Sequence, residues 1–311
     1  MKYSIGIDLG GTNSAFGIVD KKGRIISEGS IPSAGFSTPE EYVKAMFHAL
    51  QPGMQQAGII HIKGIGIGAP NGNFYTGQIE FAPNLQWKGI VPLARLFTEQ
   101  FKLPAILTND ANAAAIGEMM YGAAKGMKDF IMVTLGTGVG SGFVANGKMI
   151  YGHDGFAGEL GHTIAIREGR MCGCGRKGCL ETYTSATGIV RTAHEFLESG
   201  SEDSLLRTAV ELNARTIYEA ACQNDTLALK IFDFTGKILG QSLADAVAIT
   251  SPEAIILFGG LARAGRFIFE PTQRYMEENL LQIYKNRVKL LPSELKESDV
   301  AVLGAAALVW S

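Results

Sequence analysis

Ile7-Asp8-Leu9-Gly10-Gly11-Thr12 returns, altered in its letters but not in its order, as Val133-Thr134-Leu135-Gly136-Thr137-Gly138, 126 residues later. Each run opens apolar, as a strand does, and closes in a glycine loop. Each is followed by a second strand, Phe16-Gly17-Ile18-Val19 in one copy and Gly142-Phe143-Val144 in the other. A glycine turn comes next, at Gly23 and at Gly147. A third strand then follows, Arg24-Ile25-Ile26 against Lys148-Met149-Ile150. Two unrelated glycine-rich hairpins are the plainer alternative. Three elements recurring in order, with a drift of only one or two residues, favour an internal duplication.

Outward from the first copy, Tyr3–Asp8, Ser14–Asp20 and Arg24–Ser30 read as an antiparallel meander, with a hairpin at Lys21-Lys22-Gly23. Helical spacing covers Pro39–Gln51. Gly64–Gly68 is a short apolar strand, Ile90–Phe101 a helix, Ala105–Thr108 a strand and Ala111–Tyr121 an alanine-rich helix. Beyond the second copy the pattern is mostly helical from Ser185 to Ile249. Ala254–Phe258 is a buried strand, Arg263–Gln282 is helical, Val300–Leu303 a last strand and Gly304–Val309 the start of a C-terminal helix. The predicted fold class is therefore α/β. Two halves, each opening with a glycine hairpin, would set those hairpins facing across a cleft that can clamp a nucleotide.

The chain has 311 residues, long for one domain and comfortable for two. A net charge of −2 gives no electrostatic pull toward nucleic acid or an anionic membrane. Met1-Lys2-Tyr3-Ser4-Ile5 runs straight into a strand without the marks of a signal peptide. No apolar run approaches the roughly 18 residues that span a bilayer. A cytoplasmic protein is expected. There its four cysteines are metal ligands or core residues rather than disulfides.

Phosphate oxygens need several converging donors, and backbone N–H groups converge only where side chains do not obstruct. Gly10, Gly11, Thr12 and Asn13 offer such a loop, and Gly136, Thr137 and Gly138 repeat it after Thr134. Asp8 ends its strand where a carboxylate can hold Mg²⁺ through water. Each loop joins two strands, so neither is a Walker loop nor a dinucleotide fingerprint. Phe258-Gly259-Gly260 allows close approach of an adenosine group, or simply turns the chain from strand to helix. Asp110 follows a strand and starts a helix, where α/β folds gather ligands. It is either a helix N-cap or a general base that takes a hydroxyl proton.

Cys172, Cys174 and Cys179 fall within eight residues, and His162 lies ten before them. Cys₃His is a standard set for structural zinc, and the interleaved glycines let the chain wrap one ion. Reduced core cysteines are the alternative, poorly matched to the neighbouring Arg176 and Lys177. Four protein ligands would leave no open position for catalysis. Glu159 and Glu181 flank the cluster, either as surface charges or as carboxylates held rigidly enough to grip ligand hydroxyls.

Together these residues resemble the ROK family (repressors, open reading frames and sugar kinases) of the hexokinase–actin-like superfamily. Gly158-Glu159-Leu160-Gly161-His162 with Cys-Gly-Cys-Gly-Arg-Lys-Gly-Cys-Leu-Glu looks like its defining motif, and Asp8–Asn13 and Leu135–Gly140 look like its two phosphate motifs. Phe258-Gly259-Gly260 resembles its adenosine motif. The resemblance implies two ribonuclease-H-like, actin-like ATPase lobes with an interlobe cleft. The small α/β lobe would span residues 1–108, completed by a helix over 303–311; the large lobe would span 109–302 and carry the zinc motif. It implies ATP, Mg²⁺ and structural Zn²⁺. Asp110 would be the catalytic base, and Asn84, Asn109, Glu159, His162 and Glu181 would meet sugar hydroxyls. The implied reaction is phosphorylation of a hexose 6-hydroxyl, most simply that of glucose. N-acetylglucosamine, N-acetylmannosamine, fructose or allose are the rival substrates. A sugar-responsive repressor is the rival class; those carry an added N-terminal helix-turn-helix, for which a phosphate motif starting at Ile5 leaves no room. The family also favours a homodimer or homotetramer. One departure stands out. Many members read Gly-x-Pro-Gly where this chain has Gly68-Ala69-Pro70-Asn71-Gly72-Asn73, which places extra asparagines near the expected sugar pocket.

Overall fold

The structure is a computed structural model that describes residues 2–310, apart from the side chains of residues 297 and 298. In chain order, β1 (Tyr3–Leu9), β2 (Asn13–Asp20) and β3 (Ile25–Pro32) form a meander. Then α1 (Pro39–Ala57) leads to β4 (Ile62–Gly68). Short strands β5 (Gly72–Asn73), β6 (Gln78–Glu80) and β7 (Ile90–Val91) make a small sheet, followed by α2 (Leu93–Phe101), β8 (Ala105–Thr108) and α3 (Asp110–Tyr121). The second copy runs β9 (Phe130–Leu135), β10 (Val139–Ala145) and β11 (Lys148–Met149). Helices α4 (Glu181–Thr184), α5 (Ala186–Ser199), α6 (Ala214–Cys222) and α7 (Thr226–Thr250) follow. The chain ends with β12 (Ala254–Phe258), α8 (Arg266–Asn279), β13 (Lys289–Pro292) and α9 (Glu297–Ala307).

The two large sheets share one plan. One has the order β3-β2-β1-β4-β8 and the other β11-β10-β9-β12-β13. In the first, β1, β2 and β3 pair antiparallel while β1, β4 and β8 run parallel. In the second, β10 and β11 are antiparallel while β9, β12 and β13 are parallel. The duplication read from two glycine hairpins thus extends to five strands in each copy. Strand β12, flanked by β9 and β13, is covered on both faces, which is why Ala254-Ile255-Ile256-Leu257 is continuously apolar and fully buried.

The chain folds as two compact units. One comprises Met1–Lys128, Gly142–Gly158 and Ser293–Ser311; the other comprises Asp129–Ser141 and Glu159–Pro292. The first unit's core gathers Ile5, Ile7, Ile65 and Ile67 from the sheet with Tyr42, Met46, Leu50 and Phe97 from α1 and α2. Local signals start α1: Thr38 accepts the Glu41 N–H, Pro39 opens the helix and two glutamates sit in the first turn. In the second unit α7 buries Ile231, Phe232, Leu239 and Leu243 and keeps Lys230, Asp233, Lys237, Gln241 and Asp245 along its outer face.

Two element readings change. Ile90–Phe101 is not one helix: Pro92 separates the bridge-forming Ile90–Val91 from α2. Val300–Leu303 is not a strand but the middle of α9. Its β-branched residues mimic a strand locally, yet tertiary packing decides. A Cβ on Gly66 would lie 1.8 Å from the Ala305 carbonyl oxygen, and one on Gly304 would lie 2.4 Å from that of Ala113. Glycines on both sides let α9 press against β4 and α3, burying Val302, Leu303 and Ala306. Sequence reading missed β13, at Lys289–Pro292, and the short strands β5 and β6.

Candidate active site

In the first unit, three parallel strands end together. Asp8 of β1 is paired with Gly68 of β4, and Gly68 with Thr108 of β8. Two residues beyond Thr108, Asp110 opens α3. A Cβ on Gly68 would lie 3.8 Å from Asp8 Oδ1 and 3.7 Å from Asp110 Cα, so the two acids flank that glycine. Ligands gather at such carboxyl ends of parallel strands.

Burial pushes the Asp8 carboxyl up to about 7, and the charge of Asp110 adds to the rise. Burial also pushes Asp110 up, opposed by hydrogen bonds from the Ala111 N–H, at 2.8 Å, and from its own. One side of Asp110 is open to solvent while protein crowds the rest, and the crowding sets the direction. The capping role falls to Asn109, whose Oδ1 also accepts the Ala111 N–H at 2.8 Å. Asp110 stands one place inside the helix, so its carboxylate is not the N-cap. Beside it, the first glycine loop closes with Gly10 N–H to the Asn13 carbonyl at 3.1 Å. A Cβ on Gly11 would meet the Asn84 carbonyl oxygen at 2.9 Å, which brings Asn84 against that loop.

The second unit carries the repeated loop, closed by Gly136 N–H to the Gly138 carbonyl at 3.0 Å. Thr134 stands where the first copy has Asp8, and its hydroxyl accepts the Gly140 N–H at 3.1 Å. Gly259 has a φ of +101°, and a Cβ there would lie 2.7 Å from the Leu135 carbonyl oxygen. Conformation and close approach both require glycine at that strand end, while Gly260 next to it is unconfined. Glu181 begins α4 and reaches the same loop: its Oε2 accepts the Val139 N–H at 3.0 Å. Glu159 precedes the single 3₁₀ turn that ends at His162.

His162 and the three cysteines converge. Their nearest ligand atoms all lie within 4.8 Å of one another, with Cys174 and Cys179 sulfurs 3.6 Å apart and Cys172 Sγ 3.8 Å from His162 Nδ1. Tetrahedral zinc with sulfur near 2.3 Å sets its ligands about 3.8 Å apart. No disulfide links them. The donor set and spacing fit one tetrahedral ion. The exposed Arg176 reaches back to the His162 carbonyl at 2.7 Å and ties the loop's two ends.

The model of the ROK family matches residues 4–311. The chain belongs to the ROK family. It is 35% identical to a glucokinase of Halalkalibacterium halodurans over 317 residues, covering 99% of this chain and 95% of that protein. An N-acetylmannosamine kinase of Escherichia coli is 30% identical over 98% of this chain and 97% of its own. A xylose repressor of Caldicellulosiruptor bescii is 29% identical over 99% of this chain and 78% of the repressor. Among solved structures, a ROK family glucokinase from Streptomyces griseus in complex with glucose and AMPPNP is 32% identical. That match has a TM-score of 0.81 and covers 98% of each chain. The two-sheet architecture is therefore that of the ROK kinases, of the actin-like ATPase type.

Asn71 and Asn73, expected near a sugar pocket, both have side-chain amides engaged within the protein. Asn71 takes a positive φ of 51° and donates to the Glu80 carbonyl at 2.9 Å. Asn73 is buried; it donates to the Asp154 carbonyl at 2.7 Å and accepts the Tyr75 N–H at 3.0 Å. The Nδ2 groups of both asparagines brace the loop. Sequence reading also missed Arg170. This buried guanidinium donates to Glu195, the Thr182 and Gly188 carbonyls and the Thr192 hydroxyl, and stacks on Tyr183. It braces α4, which carries Glu181. Amid Glu168, Arg176 and Lys177 it looks like one more surface charge, and no local signal marks it.

Proposed function

We propose that the protein is an ATP-dependent kinase acting on the 6-hydroxyl of a hexose, most simply glucose. The observation that carries this reading is the Asp8–Asp110 pair, Asp8 at the end of β1 and Asp110 just past β8, on either side of Gly68 in β4 and each beside an element suited to phosphate or sugar. Similarity to a glucokinase solved with glucose and AMPPNP supports it. Asp110 would accept the O6 proton as O6 forms its bond to the γ-phosphorus and the bond to the β–γ bridging oxygen breaks. A carboxylate with a raised pKa is a stronger base than an exposed one, and that suits proton removal near neutral pH. Asn84, Asn109, Glu159, His162 and Glu181 would hold the sugar hydroxyls. Gly10, Gly11, Thr12, Asn13, Thr134, Gly136, Thr137, Gly138, Gly259 and Gly260 would hold ATP. Mg²⁺ neutralises phosphate charge when bound with ATP, and Asp8 is the residue that would hold it.

Zinc at His162, Cys172, Cys174 and Cys179 would be structural, stiffening the loop from which Glu159 and Glu181 project. Metal analysis should find about one zinc per chain, lost in Cys174→Ser. The function is tested by MgATP with a panel of glucose, N-acetylglucosamine, N-acetylmannosamine, fructose and allose, coupled to ADP release. Turnover on glucose is expected; absence of turnover on every sugar overturns the kinase.

A further inference from the structure

The second glycine loop is held from behind by one short segment. Ala186 N–H donates to the Gly136 carbonyl at 2.8 Å, and the Thr187 hydroxyl donates to the Thr137 carbonyl at 2.9 Å. Glu181 Oε2 accepts the Val139 N–H at 3.0 Å. The segment is itself locked. Ser185 Oγ donates to the Glu181 carbonyl at 2.8 Å, lies 3.0 Å from the Thr187 hydroxyl and accepts the Gly188 N–H at 3.0 Å as the cap of α5.

These bonds decide which way the loop's donors face. In a trans peptide the C=O and the following N–H point in opposite directions. With the Gly136 carbonyl drawn to Ala186, the Thr137 N–H turns away from the segment. With the Thr137 carbonyl drawn to Thr187, the Gly138 N–H does the same. Among the described residues no protein acceptor meets either N–H. Two successive donors so presented form an anion-binding concavity. A glycine on each side of Thr137 would otherwise let its flanking peptides flip, which would turn a carbonyl toward the anion.

We propose that Thr187 is a positioning residue for nucleotide phosphate, acting through the peptide it holds rather than by touching ATP. The inference rests on reading Gly136–Gly138 as a phosphate loop of the proposed kinase. Because Glu181 grips the same loop and is proposed as a sugar ligand, segment 181–187 links sugar binding to phosphate binding.

Thr187 is exposed, so its replacement removes a hydroxyl without opening the core. Thr187→Val and Thr187→Ser are compared with wild type at saturating glucose, with varied MgATP, and separately by calorimetric binding of AMPPNP. One neutral hydrogen bond lost corresponds to about five- to tenfold in an equilibrium constant. Thr187→Val should raise the KM for MgATP and the Kd for AMPPNP by that factor, with the KM for glucose within about twofold. Thr187→Ser should restore both. An unchanged ATP KM and AMPPNP Kd in Thr187→Val, or an equal rise in the glucose KM, overturns the proposal. A wild-type protein that turns over no hexose overturns the kinase reading instead, and the AMPPNP comparison then still decides the role of Thr187.

Discussion

The two glycine hairpins share a sheet plan but not a chemistry. Where the first copy ends its strand in Asp8, the second ends in Thr134, and the threonine hydroxyl is engaged by the Gly140 N–H. Carboxylates gather at the first copy, where burial and the charge of Asp110 raise the proton affinity of Asp8. In the second, neutral donors are aimed by a clamp from residues 181–187. In the proposed kinase the first copy would take a cation and a proton, the second the phosphates. The duplicated sheet plan thus differs in chemistry through few side chains at matching strand ends.

The sharpest way to break that division is at Asp110. Asp110→Asn keeps an oxygen for the Ala111 N–H and keeps the helix start, but removes the proposed base. Losing a general base costs about 10²–10⁴-fold in kcat. Steady-state assays should show that loss, with glucose affinity by calorimetry within about threefold. A rate within tenfold of wild type would remove the base from the account.

The same comparison predicts unequal effects at matched positions. Asp8→Asn should lower kcat by about a hundredfold, because the carboxylate proposed to hold the nucleotide's cation is gone. Thr134→Val should lower it by no more than about threefold, while costing about 1–3 kcal/mol of stability through the orphaned Gly140 N–H. Equal rate losses at the two sites would erase the distinction between the copies.

Glycine positions within the second loop divide in the same way. A Cβ on Gly138 would lie 2.3 Å from Glu181 Oε2, whereas one on Gly136 would meet nothing within 4 Å. Gly138→Ala should push Glu181 off the Val139 N–H and raise the ATP KM about tenfold. Gly136→Ala should change it by about twofold or less. The two variants assayed side by side test whether the clamp, rather than loop flexibility, matters.

What could be read from sequence followed the range of each interaction. Repeated strands, the Gly10 and Gly136 turns and the His162–Cys179 cluster are short-range patterns, and the structure contains them. Helix α9 was misread because Val300 and Val302 look like strand residues until Gly66 and Gly304 receive the helix. Thr187, Arg170 and Asn73 were unreadable for the same reason. Their partners, at Thr137, Glu195 and Asp154, lie 50, 25 and 81 positions away, and nothing local distinguishes an engaged polar side chain from a solvated one.

The smallest effect concerns pH. Asp8 is pushed up to about 7 by burial and by Asp110, which is itself raised, so the two titrate as a coupled pair. As pH falls the pair gains a proton, and a protonated Asp110 cannot accept one from the sugar. The value of kcat/KM should therefore fall as pH drops through the range in which the pair takes up its proton. Thr134 in the other copy contributes no such limb. Stability runs the opposite way. A carboxyl raised from 3.8 to about 7 stays protonated in the fold where the unfolded chain has lost its proton. That contribution is fully present below about 3.8 and is lost as pH rises toward 7. Asp8→Asn removes the titration and relieves Asp110 of a neighbouring charge. Its residual activity should hold to lower pH than wild type, and its Tm advantage over wild type should be larger at pH 8 than at pH 5. An acid limb that does not move in Asp8→Asn would show that the two carboxyls do not sense each other.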